Sequence, residues 1–471
     1  MTDSLTIRRA SSLDALRGIA IFGMILSGTI ASGMLPAWMY HAQVGPRSQF
    51  TFDPSIYGIT WVDLVFPFFL FAMGAAFPFS IGRKLEKGVS CMHLSLKALL
   101  RGIRLTFFAI FIQHMYPWII NDPEDMKSWG ISLFSFILMF PIYMRFSGKY
   151  PQWLRITIEY VSYGIGILML LLVPYANERS FSLYFSNIII LVLANMAIFG
   201  SIIYIFTWRK KCYRIAILPF IMGILLSSNT EGSWAQDIMQ YSPIPWMYNF
   251  YYLKYLFIVI PGSIAGEYLK EWLSIHPQTP SIISKRLPLI LLISISVIII
   301  NVYCLYTRQL LLNLIISIIL LFTLYILLRK KADHNFIYWR KLFVIGAYLI
   351  MLGLCFEAFE GGIRKDHSTF SYYFLTSGLA FMAMIALSII CDIYRYKIIT
   401  RPFEMVGQNP MIAYVAPQLV ITPIIGLLGL NVFLNIFNQN AYLGFIKGLM
   451  ITALSIGIAS FFTYKKYFWR T

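Results

Sequence analysis

The sequence predicts an all-α, polytopic transmembrane helical bundle, and three observations predict it. Hydrophobic residues make up 59% of the 471 and charged residues only 12%, against about 25% charged in soluble domains; mean hydropathy is +0.71. Apolar runs of about 20 residues, enough for a helix across a bilayer core of roughly 30 Å, recur along the whole chain, while the ten-residue alternating segments of a β-barrel are absent. The basic residues are also distributed asymmetrically between alternate loops.

The apolar runs place spans at 13–35, 61–82, 94–119, 129–145, 154–175, 183–207, 213–228, 248–269, 287–306, 309–328, 341–358, 371–391, 409–429 and 441–464. That is about 14 helices, with 12 as the fallback, since 213–228 is short and Thr307–Arg308 makes a tight hairpin. With the N-terminus in the cytoplasm, alternation puts 30 of the 38 Lys and Arg on cytoplasmic sides and 7 on the other, leaving Lys447 within a span. Cytoplasmic loops are the ones enriched in Lys and Arg, so the split predicts N-in and C-in. It also accounts for the net charge of +18 by attraction to anionic membrane lipids. No aromatic–basic module stands outside the spans, so no nucleic-acid partner is expected.

No cleavable signal peptide is expected: the first apolar run carries Asp14 and Arg17 and is too long for a signal core. The five cysteines, Cys91, Cys212, Cys304, Cys355 and Cys391, lack metal-ligand spacing, and neither a metal nor a disulfide framework is expected. No loop is long enough for a soluble domain, so residues 1–471 read as one transmembrane domain.

Several constellations can carry chemistry. In "SLDALRGIAIFGMIL" (12–26) Asp14 and Arg17 share a face at the start of the first helix. They read as a capping and anchoring pair, or as the lining of a vestibule for an anionic ligand. His41 lies in the loop 36–60, after Trp38 and Tyr40, and Asp63 lies just inside the second helix. A loop histidine is commonly structural, but one oriented by a carboxylate is a general acid/base pair near neutral pH. Gln408 and Asn409 open the late helix "VGQNPMIAYV", where Asn409 is expected to cap and Pro410 to take the first position. "IPGSIAGEYL" (260–269) offers small residues for close helix packing. Glu357 and Glu360 with Arg364 form a charged group that lines an outer mouth or pairs locally, and His114 and Trp118 sit near the outer end of the third helix.

Together, "SLDALRGIAIFGMIL", the loop "YHA", "GITWVDLVFPFFLFAMGAAFPFS" and "GQNPMIAYV" resemble the heparan-alpha-glucosaminide N-acetyltransferase family and its bacterial homologues, specifically over 12–82 and more weakly at 406–415. The resemblance implies an acetyl-CoA-dependent transmembrane acetyltransferase of the bacterial inner membrane. Such proteins pass an acetyl group from cytoplasmic acetyl-CoA to a carbohydrate acceptor, an amino sugar such as those of glycosaminoglycans, on the other side. His41 matches the family's catalytic histidine, as general base or transient acetyl carrier, with Asp63 orienting it. Asp14, Arg17 and Asn409 are assigned to the acetyl-CoA side, and Trp38, His114, Glu357 and Glu360 to the acceptor side. Ser27 stands near a position where the family often has Asn, and Pro417 and Gln418 where it often has His. These departures leave a sugar hydroxyl open as acceptor. The oligomeric state is also open, a homodimer being one option. The rival class is a secondary transporter for a sugar or organic anion, which would show inverted repeats; none is visible in the sequence. A non-catalytic scaffold fits less well with the polar residues placed within the spans.

Overall fold

The computed structural model describes residues 9–31, 33–46, 49–144, 151–275, 285–329 and 333–471. Of the charges counted above, Arg8, Arg47, Arg145, Lys149, Lys330 and Lys331 lie outside these residues. Among the described residues the chain is all-α without a strand, its one β-type pairing being an isolated bridge between Met144 and Trp469.

Every expected span coincides with a helix. In order these are α1 (Ser11–Thr29), α2 (Trp61–Ala75), α3 (Cys91–His114), α4 (Met126–Tyr143), α5 (Gln152–Leu172), α6 (Ile188–Thr207), α7 (Lys211–Ser227), α8 (Leu256–Ser274), α9 (Leu287–Tyr306), α10 (Leu310–Arg329), α11 (His334–Phe359), α12 (Phe370–Leu387), α13 (Pro410–Ala416, continuing to Leu427) and α14 (Ala441–Tyr464). Eleven are long and apolar enough to cross a membrane, α2 being counted with its continuation to Glu86. The other three are α3, which carries Lys97, Arg101 and Arg104, the 17-residue α7, and α8, which carries Glu267, Lys270 and Glu271.

Local chemistry sets the boundaries. Side chains of Ser90, Asp125, Asn187 and Asn440 accept backbone N–H groups that open α3, α4, α6 and α14, satisfying donors that have no partner within the helix. The expected third span breaks before Pro117, which starts the short helix Pro117–Ile120, because the residue before proline disfavours helical backbone. The hairpin between α9 and α10 turns through Arg308 at φ 61°. Pro417 has no N–H to give the preceding turn, and α13 widens into a π-helical turn over Pro417–Ile421.

Burial separates core from periphery. α12 with its π-helical continuation over Ser388–Tyr394 is almost wholly buried, whereas α5, α10 and α14 leave most of their length exposed. Close packing at the centre depends on the small residues of "IPGSIAGEYL". A Cβ on Gly262 would lie 2.3 Å from Phe71 O, and one on Gly266 2.1 Å from Ala75 O, so α2 and α8 touch backbone to backbone.

The two ends of the bundle are chemically distinct. At one end, loops of one parity meet: Gly58 N donates to Ile363 O, Ala176 N to Ile119 O and Lys254 Nζ to Ser368 O. At the other, Lys270 pairs with Glu86, Lys341 with Glu271 and Lys397 with Glu404. That second end also carries the amphipathic helix Lys397–Gln408, whose backbone packs tightly on α1: a Cβ on Gly407 would meet Asp14 O at 1.9 Å.

Candidate functional site

His41 is fixed from both sides along the chain. Before it, the Tyr40 hydroxyl donates to Ala31 O at 2.5 Å and accepts from Leu35 N, tying the loop to the end of α1. Thr60, just ahead of α2, donates its hydroxyl to Tyr40 O at 2.7 Å. After it, Gln43 N donates to His41 Nδ1 at 3.0 Å. A neutral imidazole that accepts at Nδ1 carries its proton on Nε2.

Nε2 faces two carboxylates, 3.2 Å from Asp63 Oδ1 and 3.0 Å from Asp366 Oδ2. It lies within ion-pair distance of both and is aligned as a regular hydrogen bond with neither. Asp63 is fully buried and does two jobs. Its Oδ2 accepts from Thr60 N (2.9 Å) and Ala42 N (3.3 Å), closing the first turn of α2. That leaves Oδ1 for His41, with Lys365 Nζ 3.9 Å away.

Asp366 comes from the loop between α11 and α12, and the sequence reading missed it. Burial works to raise its carboxyl, but the His41 ring and the Lys365 charge outweigh that and hold it below the ordinary carboxylate value. Its backbone is gripped by the fully buried Gln43 side chain, whose Nε2 donates to Asp366 O at 2.9 Å and whose Oε1 accepts from Asp366 N at 2.8 Å. The available signal was a lone acid in "IRKDHS", a basic loop; nothing local ties it to a histidine over 300 positions earlier.

His41 lines a cavity of about 440 Å³ beside Tyr40, Phe50, Tyr116, Trp118, Tyr414 and Gln418, with Ser27 also on the wall. Among the described residues the lining is aromatic, aliphatic and neutral-polar, and His41 is its one titratable group other than tyrosine. His41 Nε2 is itself buried against the two carboxylates, while Nδ1 is held by Gln43 N–H. Met24, Ile189 and Tyr414 also belong to an apolar slot with Ile21, Phe66, Leu105, Phe108 and Met411. The slot is nearly closed, with about 30 Å³ of free space, little more than a water needs.

Below the slot lie the residues assigned to acetyl-CoA. Arg17 donates to Gly407 O (3.0 Å) and Ala72 O (3.4 Å) and sits 3.9 Å from Asp14, which also pairs with Arg9. Arg101, one turn before Leu105, is near enough to repel Arg17. Asn409 is committed elsewhere. Its side chain does not cap α13 as expected; it donates to Tyr467 O and accepts from Trp469 N, anchoring the C-terminal tail.

The residues assigned to the acceptor do not assemble around His41. Trp38 is 54% exposed and off the cavity wall. His114 is buried among Tyr175, Phe181 and Phe185, with Nδ1 on Ile110 O, and faces inward. Of the expected group, Glu357 stands apart, while Glu360 and Arg364 line a second cavity without pairing with each other. Glu357 pairs with Arg308, Glu360 accepts Phe370 N and Ser371 N at the start of α12, and Arg364 reaches Pro54 O. Each carboxylate finds a nearer donor than Arg364, which stacks 4.9 Å from the Tyr57 ring.

A family model described as a domain of unknown function (DUF5009) matches residues 9–269. The match covers more than half of the chain and includes His41 and Asp63 but not Asp366. No curated protein matches the chain.

Proposed function

The chain belongs to the DUF5009 family, and from the geometry around His41 we propose that it is a membrane acyltransferase. It moves an acetyl group from acetyl-CoA to a hydroxyl or amine of a carbohydrate acceptor, as the resemblance to the heparan-alpha-glucosaminide N-acetyltransferase family implies. The observation that carries the proposal is the placement of His41 Nε2 between Asp63 and Asp366 at the edge of a 440 Å³ cavity. Pockets of about 300–1,000 Å³ with aromatic walls and a few polar groups suit small organic ligands, and Tyr116, Trp118, Gln418 and Ser27 offer faces and hydrogen bonds to a sugar.

In the proposed step the acceptor oxygen or nitrogen attacks the thioester carbonyl carbon and gives its proton to His41 Nδ1, from which Gln43 N–H withdraws. The imidazolium that forms keeps its second proton on Nε2, where the two carboxylates stabilise it. The carbon–sulfur bond breaks, and the departing thiolate takes the proton back from Nδ1, leaving acylated acceptor and free thiol. A positioned base typically contributes about 10²–10⁴-fold. An attack by Nδ1 itself, giving a transient acetyl-histidine, uses the same orientation. The acyl donor would reach His41 along the apolar slot, with its side chains parting, and its phosphates would lie toward Arg17 and Arg101. The charge asymmetry of the loops supports an extracytoplasmic position for the cavity.

The test is purified protein with labelled acetyl-CoA and a panel of amino sugars and neutral sugars, read by thiol release and by mass spectrometry of the sugars. Label on a sugar, lost at least a hundredfold in a folded His41→Ala protein, is the expected result. Full transfer by His41→Ala overturns the base role, and uptake of intact sugar into vesicles without acetyl-CoA assigns the protein to the transporter class.

A further inference from the structure

A second cavity, of about 350 Å³, lies at the same end of the bundle and shares a wall with the His41 site. The wall is the segment 361–369. It turns through Gly361 (φ 72°) and Gly362 (φ 153°), and His367 (φ 45°) holds a left-handed conformation uncommon outside glycine. One consequence is that adjacent residues face opposite ways. Asp366 reaches His41, while His367 and Ser368 line the second cavity.

Two cations converge on this space. Lys254 Nζ donates to Ser368 O at 2.9 Å and lies 4.6 Å from the Tyr251 ring; an ammonium has three donors, so two remain. Arg364 donates through Nη1 to Pro54 O at 3.3 Å, and its Nε is buried without a hydrogen-bond partner. Among the described residues the one carboxylate on the wall is Glu360, which already accepts two backbone N–H groups, from Phe370 and Ser371. Cationic donors exceed acceptors, in a space large enough for a small ligand and closed on one side by aromatic rings. An arginine fork and a lysine ammonium together suit the oxygens of a carboxylate, sulfate or phosphate.

We propose that this cavity is an oxyanion-binding site formed by Lys254 and Arg364, distinct from the His41 cavity and linked to His41 itself through Asp366 on the segment 361–369. The site stands whether or not acyl transfer is the reaction, and its test reads binding alone. The full-length protein in detergent is titrated calorimetrically with glucuronate and sulfate, and with glucose as the uncharged probe. The expected result is that both anions bind, glucose does not, and Lys254→Gln and Arg364→Gln each weaken glucuronate binding at least tenfold while eluting as the wild type does. Absence of anion binding to the wild type, or equal binding of glucose and glucuronate, overturns the proposal without any variant. So does wild-type affinity for glucuronate in both variants. In nanodiscs, loss of glucuronate binding on adding phosphatidylglycerol identifies a lipid headgroup as the oxyanion; retained binding identifies a soluble one.

Discussion

Gln43 holds Asp366 by both of its backbone polar groups, with its side-chain amide donating to the carbonyl at 2.9 Å and accepting from the N–H at 2.8 Å. Its own backbone N–H meets His41 Nδ1. One buried residue therefore sets the histidine's tautomer and brings the distant carboxylate to its other nitrogen.

Replacing Gln43 with leucine keeps approximate volume and removes these two bonds together with a third, from Nε2 to Pro54 O at 3.3 Å, a carbonyl that keeps Arg364 as its donor. Two backbone groups are left without partners, at about 1–3 kcal/mol each if they stay buried. The cheaper response is for the loop to open. Amide exchange over 363–369 is expected to accelerate at least tenfold in Gln43→Leu, read by hydrogen-exchange mass spectrometry, with α12 unchanged. Unaltered exchange there would remove Gln43 from its clamping role.

Asp366 gives a signed pH dependence. Its carboxyl is held below the ordinary value against the effect of burial. A group whose folded pKa is depressed adds stability that is fully present above the unfolded value, about 3.9, and lost as pH falls through the folded one. The difference in melting temperature between wild type and Asp366→Asn should still be open at about pH 5 and close below about pH 4. A difference that closes between pH 8 and 6 would assign the effect to another group.

The contact between α2 and α8 is tested at Gly266. A Cβ there meets Ala75 O at 2.1 Å, and backbone cannot step aside as a side chain can. Gly266→Ala is expected to destabilise by roughly 1–3 kcal/mol, the usual cost of overpacking. Gly457, with nothing within 4 Å of an added Cβ, is the control; Gly457→Ala should hold or raise the melting temperature, since alanine favours helix. Equal effects at both positions would contradict the close approach.

The fold was legible because hydropathy reports directly on burial in lipid, and each of the fourteen runs is a helix. The interruptions were less so. The π-helical turn at Pro417 depends on how α13 re-satisfies its backbone, which local sequence does not specify. At the site, His41 and Asp63 could be paired from sequence because both belong to one loop-and-helix unit. Asp366 could not, since Gln43 brings it there through tertiary contacts. His114 shows the opposite failure. Its depth in α3 was read correctly, but the direction of its side chain is set by Tyr175, Phe181 and Phe185, which close around it. Glu357 and Glu360 find partners that local sequence does not name, Arg308 and the open N–H groups of α12, and of the two only Glu360 shares a cavity wall with Arg364.

Gln418 and Ser27 carry the last prediction, because they are the two hydrogen-bonding side chains among the three departures noted in the sequence, Ser27, Pro417 and Gln418, all of which line the His41 cavity. If the cavity receives the acceptor, their role is to hydrogen-bond it, and a neutral hydrogen bond is worth about 0.5–1.5 kcal/mol net, or roughly 3–10-fold. Gln418→Leu should raise the acceptor KM by about that factor, leave the acetyl-CoA KM unchanged and keep kcat within about threefold. Ser27→Ala should do less, since its hydroxyl already donates to Met24 O at 2.9 Å. Steady-state kinetics with each substrate varied in turn separates the outcomes. A change confined to the acetyl-CoA KM would place the donor, rather than the acceptor, in this cavity, and would reverse the proposed arrangement of the two substrates around His41.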